Sequence, residues 1–324
     1  MVSFIIIGKN EGWKLLKSIE SVFNAIEINK IKNSEVIYVD SKSTDNTLNA
    51  IKKYKNLKVF LIEGETNAAV ARNIGFKEST NQNLVFIDGD MEIKSDFLPL
   101  ILDNNNNLKY PFCSGNWINY NYDSFKSRKL LSKEIKKKMT KNETEFISGG
   151  LFAIRRDTWE SVGGMRTVFR RSQDWDLALR LAKKDVFLYR LKEVFAHHHT
   201  LSPKESINKM WSMFHSGYKL YRIVILRGNF FNKYQWKHFI RINYTFILFL
   251  VMLISFLISG ITTFIFVYFA AIFIRNLFTY GNKLFYVLNG LIIALLYDIA
   301  FLGALFLFYP KKLSLEYKVI QNPN

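Results

Sequence analysis

The sequence predicts an α/β domain built on a mostly parallel sheet over residues 1–201, followed by basic, aromatic-rich interfacial helices and a transmembrane region. Three observations predict it. Short apolar runs alternate with stretches of helical spacing near the N-terminus. The main runs each end in a cluster of polar or acidic residues. Residues 243–274 contain no charged side chain at all.

The runs at residues 2–7, 36–39 and 84–87 read as strands, and 59–62 adds a fourth. Between them, residues 13–25, 47–54 and 68–77 carry apolar positions at helical spacing. Strands alternating with such helices argue for βαβ units. Ligands of these sheets bind beyond the carboxyl ends of the strands. The polar tips Gly8-Lys9-Asn10-Glu11, Asp40-Ser41-Lys42-Ser43-Thr44-Asp45 and Asp88-Gly89-Asp90 fall at that place. Trp159, Leu177 and Leu181 read as core, Gly163-Gly164 as a helix end, and Asp45 as a helix cap. Residues 126–141 hold eight Lys or Arg and one Glu, with Leu130, Leu131, Ile135 and Met139 spaced as on a basic surface helix.

The chain of 324 residues is 49% hydrophobic, with 29 Phe and 16 Tyr, and carries a net charge of +18. That charge predicts an anionic partner: nucleic acid, a lipid surface or phosphate-bearing substrates. No nucleic-acid motif accompanies it, which leaves the bilayer and phosphates. The single cysteine, Cys113, excludes an intrachain disulfide and fits a reducing compartment. No basic segment followed by a long apolar core opens the chain, so export of the first domain is not expected.

Residues 202–241 contain eight Lys or Arg, one Glu and nine aromatics, a composition suited to the membrane interface. One helix over residues 243–274 would be about 48 Å long against a hydrocarbon core of about 30 Å. A break near Ser259-Gly260 is therefore expected, giving spans at 243–259 and 261–275, with a third at 284–309 and a tail at 313–324. Asn289 and Asp298 lie within the third span, and an intramembrane Asp is expected to face other helices or a polar cavity. Lys233, Lys237 and Arg241 before the first span predict that the first domain lies on the cytoplasmic side.

Two carboxylates one residue apart at a strand end can converge on a hard cation such as Mn²⁺ or Mg²⁺, with Gly89 allowing a tight turn. The tripeptide has company in a fixed order. The segments are VSFIIIGKNEG (2–12), VIYVDSKSTDNT (36–47), Ala71-Arg72-Asn73-x-Gly75, Asp88-Gly89-Asp90, SGGLFAIRRDTWESVGGM (148–165) and Gln173-Asp174-Trp175-Asp176-Leu177 with Arg180-Leu181. Together they resemble the family 2 glycosyltransferases of GT-A fold. The resemblance implies a nucleotide-diphosphate sugar donor, a divalent cation and inversion at the anomeric carbon. Asn10, Glu11, Asp40 and Arg72 would line the nucleotide pocket. Asp90 would be the main metal ligand, and Asp88 would contact sugar or ribose beside the metal. Asp174 would be the general base, Gln173 standing where the family has Glu. Gly149 and Gly150 would form the loop near the acceptor. Trp175 is read as an acceptor-stacking ring or as packing. No Gln-x-x-Arg-Trp element follows residue 181, which points to single addition rather than processive synthesis.

Residues 197–199 are three consecutive histidines, and neighbours on an extended segment point to opposite faces. His198 is preferred over His197 as a further metal ligand, the alternative being a polar turn. The expected acceptor is membrane-associated, a lipid-linked saccharide. A polyprenyl phosphate acceptor, or a degenerate membrane component of a polysaccharide export assembly, are the other readings.

Overall fold

Side chains along β1 (Val2–Gly8) alternate between two apolar layers, with Val2, Phe4 and Ile6 in one and Ile5 and Ile7 in the other. The structure is a computed structural model and describes residues 1–146, 149–202, 206–260 and 262–323. Of the positions read above, Ser148, residues 203–205 and Ile261 lie outside the described residues.

Parallel pairing extends β1 to β2 (Ser34–Asp40), β3 (Leu57–Ile62) and β4 (Asn83–Asp88), as the apolar runs predict. The connections are α1 (Trp13–Ile28), α2 (Thr47–Ile51) and α3 (Ala68–Glu78). On α1, Leu15, Ile19, Val22 and Ala25 recur every three or four residues and form the stripe that covers one face of the sheet. On the other face α3 lies close to β1, because a Cβ at Gly75 would come within 2.2 Å of Ile5. Asn67 caps α3, accepting from the Val70 N–H at 2.9 Å.

The chain then forms β5 (Met91–Ile93), α4 (Leu98–Ile101), β6 (Phe112–Tyr122), β7 (Leu130–Ile135), β8 (Glu143–Glu145) and β9 (Leu151–Arg155). Next come α5 (Arg156–Glu160), α6 (Gln173–Ala182) and the long β10 (Leu188–Leu201). Among the described residues the sheet runs β3-β2-β1-β4-β9-β6-β10-β5, with β7 on β6 and β8 on β10. Trp159 stacks on Phe86 with ring centroids 4.7 Å apart, and Leu177 and Leu181 are buried, which puts all three in the core.

Two expectations are corrected here. Residues 130–135 are an exposed strand and not a basic helix. Leu130, Leu131 and Ile135 have no apolar layer to face, whereas β6 offers a row of backbone groups for pairing. The tail, too, belongs to the sheet domain: β11 (Tyr317–Gln321) pairs antiparallel with the outer edge of β3. Leu313 is buried in the same core, and its backbone N–H and C=O both bond the Thr167 hydroxyl.

The chain therefore divides into a unit of Met1–Pro203 with Lys311–Asn324 and a second unit of Lys204–Pro310. The second is helical: α7 (Ile207–His215), α8 (Tyr221–Gly228), α9 (Lys233–Ile242), α10 (Tyr244–Ser259), α11 (Thr263–Tyr280) and α12 (Leu284–Leu307). Gly260 ends α10 in a left-handed conformation (φ 62°), at the break expected from length. By length and composition α11 and α12 can each cross a membrane, and α9 with α10 qualifies only as a pair bent by 84°.

Candidate active site

The parallel register sets the site. Gly8 of β1 lies opposite Asp40 of β2, and Ile7 opposite Asp88 of β4. The next strand, β9, is antiparallel, and the Asp88 N–H donates to the Gly150 carbonyl at 2.9 Å. Glu11, Asp40, Asp88, Asp90 and Gly150 thus come together at one rim, the carboxyl ends of three strands and the start of a fourth.

Asp40 is fully buried and its carboxylate accepts three hydrogen bonds. It accepts from the Ser43 N–H at 2.7 Å, the Ser43 hydroxyl at 2.6 Å and the Tyr38 hydroxyl at 2.8 Å. These bonds hold the loop after β2 at the rim, where Asp40 is expected to line the nucleotide pocket. That loop is fastened to the loop after β1, where Asn10 accepts from the Thr44 N–H at 2.7 Å and donates its own N–H to Ser43 at 2.9 Å. Asn10 adopts φ 56°, in the left-handed region that asparagine tolerates better than most residues.

The two aspartates of Asp88-Gly89-Asp90 are held differently. Asp88 Oδ1 accepts from Arg72 at 2.6 Å, and Arg72 is only 3% exposed. Arg72, expected in the nucleotide pocket, is bound to Asp88 at the rim and fixes its carboxylate. Burial pushes the Asp88 carboxyl up to about 6; Arg72 opposes that rise and Asp90 adds to it. For Asp90 burial acts in the same upward sense, but His198 and Lys14 outweigh it and its carboxyl sits below the usual range. Asp90 Oδ2 lies 3.3 Å from His198 Nε2, and Asp90 Oδ1 is buried without a hydrogen-bond partner among the described residues. Glu11, ion-paired to Lys14 at 2.5 Å, has a carboxyl raised by burial and by the charge of Asp90.

Alternation along β10 separates the three histidines. His199 is buried, between Tyr122 and Glu92, each at 3.0 Å. His197 stacks on Tyr120 with centroids 4.8 Å apart. His198 alone reaches Asp90, and its Nδ1 bonds Asn119 Oδ1 at 2.9 Å. That amide oxygen also accepts from the Trp117 indole at 3.1 Å, so it is the acceptor and His198 Nδ1 carries the proton. In the neutral ring Nε2 then carries the lone pair and faces Asp90; in the charged ring both nitrogens carry protons and Nε2 pairs with the Asp90 carboxylate.

Two protein ligands, Asp90 and His198, fit a divalent cation: one offers an oxygen lacking a partner among the described residues, the other, in the neutral ring, an imidazole nitrogen with its lone pair. Among the described residues no group of three His, Cys, Asp or Glu is gathered closely enough to hold an ion by itself. The remaining positions would fall to donor oxygens and water, as is usual for Mg²⁺-type sites.

The loop of Gly149 and Gly150 connects this rim to α6. A Cβ at Gly150 would come within 2.2 Å of Asp88 Oδ2, so only glycine fits against that carboxylate. The Gly149 N–H donates to Asp174 Oδ2 at 3.4 Å, placing the expected base one residue from the Gly150–Asp88 contact. Asp176, two residues on, is fully buried and paired with Arg180 at 2.8 Å and Arg166 at 3.3 Å. Arg180 also donates to the carbonyls of Val162 and Gly164, so this part of the motif is structural. Trp175 is 5% exposed, so little of its ring is open to solvent.

Sequence reasoning missed Asn119 and the clamping of Asp88 by Gly150. Trp117, Asn119 and Asn121 recur at a period of two on β6, a pattern that marks one polar face of a strand.

A sheet with acidic strand tips, a glycine loop against them and a carboxylate on the following helix defines a GT-A type nucleotide-sugar domain. Residues 3–163 match the family model described as Glycosyl transferase family 2, and the sheet domain of this chain is a family 2 glycosyltransferase domain. Similar curated proteins include the poly(ribitol-phosphate) beta-N-acetylglucosaminyltransferase TarP of Staphylococcus aureus, 43% identical over 93 residues. That match covers 28% of each chain. An uncharacterized glycosyltransferase of Haemophilus influenzae is 24% identical over 201 residues, 60% of this chain and 66% of that one. The chain thus spans less than two thirds of the length of TarP and just under that share of the second relative. Among solved structures, S. aureus TarS in complex with UDP-GlcNAc superposes with a TM-score of 0.48 at 15% identity, over 66% of this chain and 64% of that one.

Proposed function

We propose that the protein is an inverting, metal-dependent glycosyltransferase that moves one sugar from a nucleotide-diphosphate donor to a membrane-associated acceptor, a lipid-linked saccharide. The observation that carries this reading is Asp90 Oδ1, buried and without a hydrogen-bond partner among the described residues, beside a His198 whose Nδ1 is held by Asn119 at the carboxyl rim.

The roles follow from what each group can do. The loops fastened by Asp40 and Asn10 form the floor on which the nucleoside sits, with Glu11 beside it. Asp90 and His198 would hold Mn²⁺ or Mg²⁺, with Asp88 next to them and directed at the sugar or ribose by Arg72. Bound there, the ion would stabilise negative charge on the departing diphosphate. Asp174 takes the proton from the acceptor hydroxyl, a poor nucleophile that needs a carboxylate in hydrogen-bond reach. One base and direct attack give inversion, and Gln173 beside Asp174 offers no second carboxylate.

The acceptor reading draws on the helical unit. Its apolar α11 and α12 are suited to a bilayer, and the basic, aromatic α7 to α9 to an interface. The cytoplasmic face is proposed from Lys233, Lys237 and Arg241 ahead of α10. A soluble, phosphate-bearing polymer is a second reading, favoured by the net charge of +18 and by the acceptor named for TarP.

The test is donor hydrolysis by the full chain in detergent, over a panel of nucleotide sugars with and without Mn²⁺. Activity that needs the metal and vanishes in Asp90→Ala is expected. Retention of full activity in Asp90→Ala would remove the metal assignment, and no binding or hydrolysis of any donor would favour a degenerate scaffold.

A further inference from the structure

Inside the helical unit, a cavity of about 120 Å³ is lined by Lys219, Arg222, Asn243, Arg275, Asn276 and Asp298, among apolar residues of α10 to α12. Its charge is unbalanced. Arg222 donates to the Asn243 amide oxygen at 3.0 Å, and Arg275 to the Asn276 amide oxygen at 3.1 and 3.3 Å. Lys219 lies over the Tyr297 ring, 4.1 Å from its centroid. The one carboxylate, Asp298, accepts from the hydroxyls of Tyr268 at 2.9 Å and Thr245 at 3.4 Å. Among the described residues, none of the three cations pairs with it. Gly290 makes room for this arrangement, since a Cβ there would come within 2.6 Å of the Asn276 amide.

Three cations against one carboxylate leave about two positive charges around a partly desolvated space. Such groups are costly to bury unless an opposite charge meets them. Burial, together with the charges of Arg222 and Arg275, pushes the Lys219 ammonium down to about 8, the direction expected where cations crowd without an anion. A phosphate monoester carries roughly −1.5 to −2 charges at neutral pH and accepts several bonds from guanidinium forks. It matches the excess in sign and size.

We infer that this cavity is a binding site for a phosphate group, contributed by an amphiphile whose chain lies along the apolar helices or by free phosphate. The site is built from the helical unit alone and does not depend on the donor chemistry of the sheet domain. Its failure and the failure of the transferase reading are therefore read by different assays.

The test uses the full chain in phosphatidylcholine nanodiscs, with thermal unfolding followed during titration by farnesyl phosphate in one arm and inorganic phosphate in another. Stabilisation by farnesyl phosphate alone supports a lipid source, and equal stabilisation by inorganic phosphate supports a soluble one. Stabilisation by neither overturns the inference. Lys219→Gln and Arg275→Gln should each weaken the phosphate effect about tenfold or more, as loss of a charged hydrogen bond does. Both should also raise the melting temperature without ligand, because each removes an uncompensated cation. A variant that is destabilised without ligand yet keeps the full phosphate shift would count against the site.

Discussion

The polypeptide leaves the sheet domain after β10 and returns to it as β11, which pairs with β3. Any membrane crossings made between those points must then be even in number. The helix lengths say which. At 1.5 Å per residue, the 18 residues of α11 reach about 27 Å and the 24 of α12 about 36 Å, against a hydrocarbon core of about 30 Å. The 16 residues of α10 reach only about 24 Å, and that helix is bent by 84° from α9. We predict two crossings, α11 and α12. A third by α10, which the charge-free stretch of sequence suggests, would strand residues 313–324 across the bilayer from β3. Cys113 is buried and is the only native thiol, so single cysteines can be added without removing any. Lys52→Cys and Lys318→Cys, both at exposed positions, should react with an impermeant maleimide in the same vesicle orientation. Labelling from opposite sides would refute the argument. Leu313→Ala should cost about 2 kcal/mol or more of sheet-domain stability, since a buried leucine is truncated.

Three other perturbations test the site. Asn119→Ala frees the His198 ring and should raise the Mn²⁺ concentration for half-maximal donor hydrolysis about 10- to 100-fold, with the maximal rate at saturating metal largely kept. An unchanged metal requirement would mean that His198 is no ligand. Gly150→Ala drives a methyl into Asp88, which Arg72 holds from behind; donor binding measured by calorimetry should fall while stability drops by about 1–3 kcal/mol. Asp176→Ala leaves buried Arg180 without its partner and should cost about 3–5 kcal/mol in denaturant unfolding. A loss below 1 kcal/mol would show that this carboxylate is dispensable for the fold.

The parts of the fold legible in the sequence are those with local signals. β1, β2 and β4 are apolar runs that end in polar tips, and α1 carries its stripe at helical spacing, so strands, rim and helix follow from neighbours alone. β11 was hidden because its partner lies far away in the chain: Tyr317 faces Ile62, and nothing near residue 317 announces it. The strand at residues 130–135 was hidden because its apolar residues face solvent and its pairing is purely backbone. At the site, residue types were legible and their working partners were not. Asp40 reads as a ligand group, and its oxygens also hold Ser43 and Tyr38. Arg72 reads as part of the nucleotide pocket, and its partner there is Asp88. Which neighbours a polar group meets is a property of packing, and no motif records it.

That distinction also explains how two aspartates one residue apart acquire different work. Asp88 ends β4 and Asp90 lies in the tight turn before β5, so the turn, not strand alternation, sets their two directions. Asp88 is turned toward α3 and β9, where Arg72 and the Gly150 carbonyl fix both its carboxylate and its backbone. Asp90 is turned toward β10, where the His198 imidazole meets one oxygen and no hydrogen-bond partner meets the other among the described residues. A group held rigid by a cation already has its countercharge and gains little from a second. A group with a low carboxyl pKa and an oxygen left without a partner is ionised at neutral pH and gains most. On the proposed reading an arriving cation would be drawn to Asp90, leaving Asp88 beside it to serve the sugar.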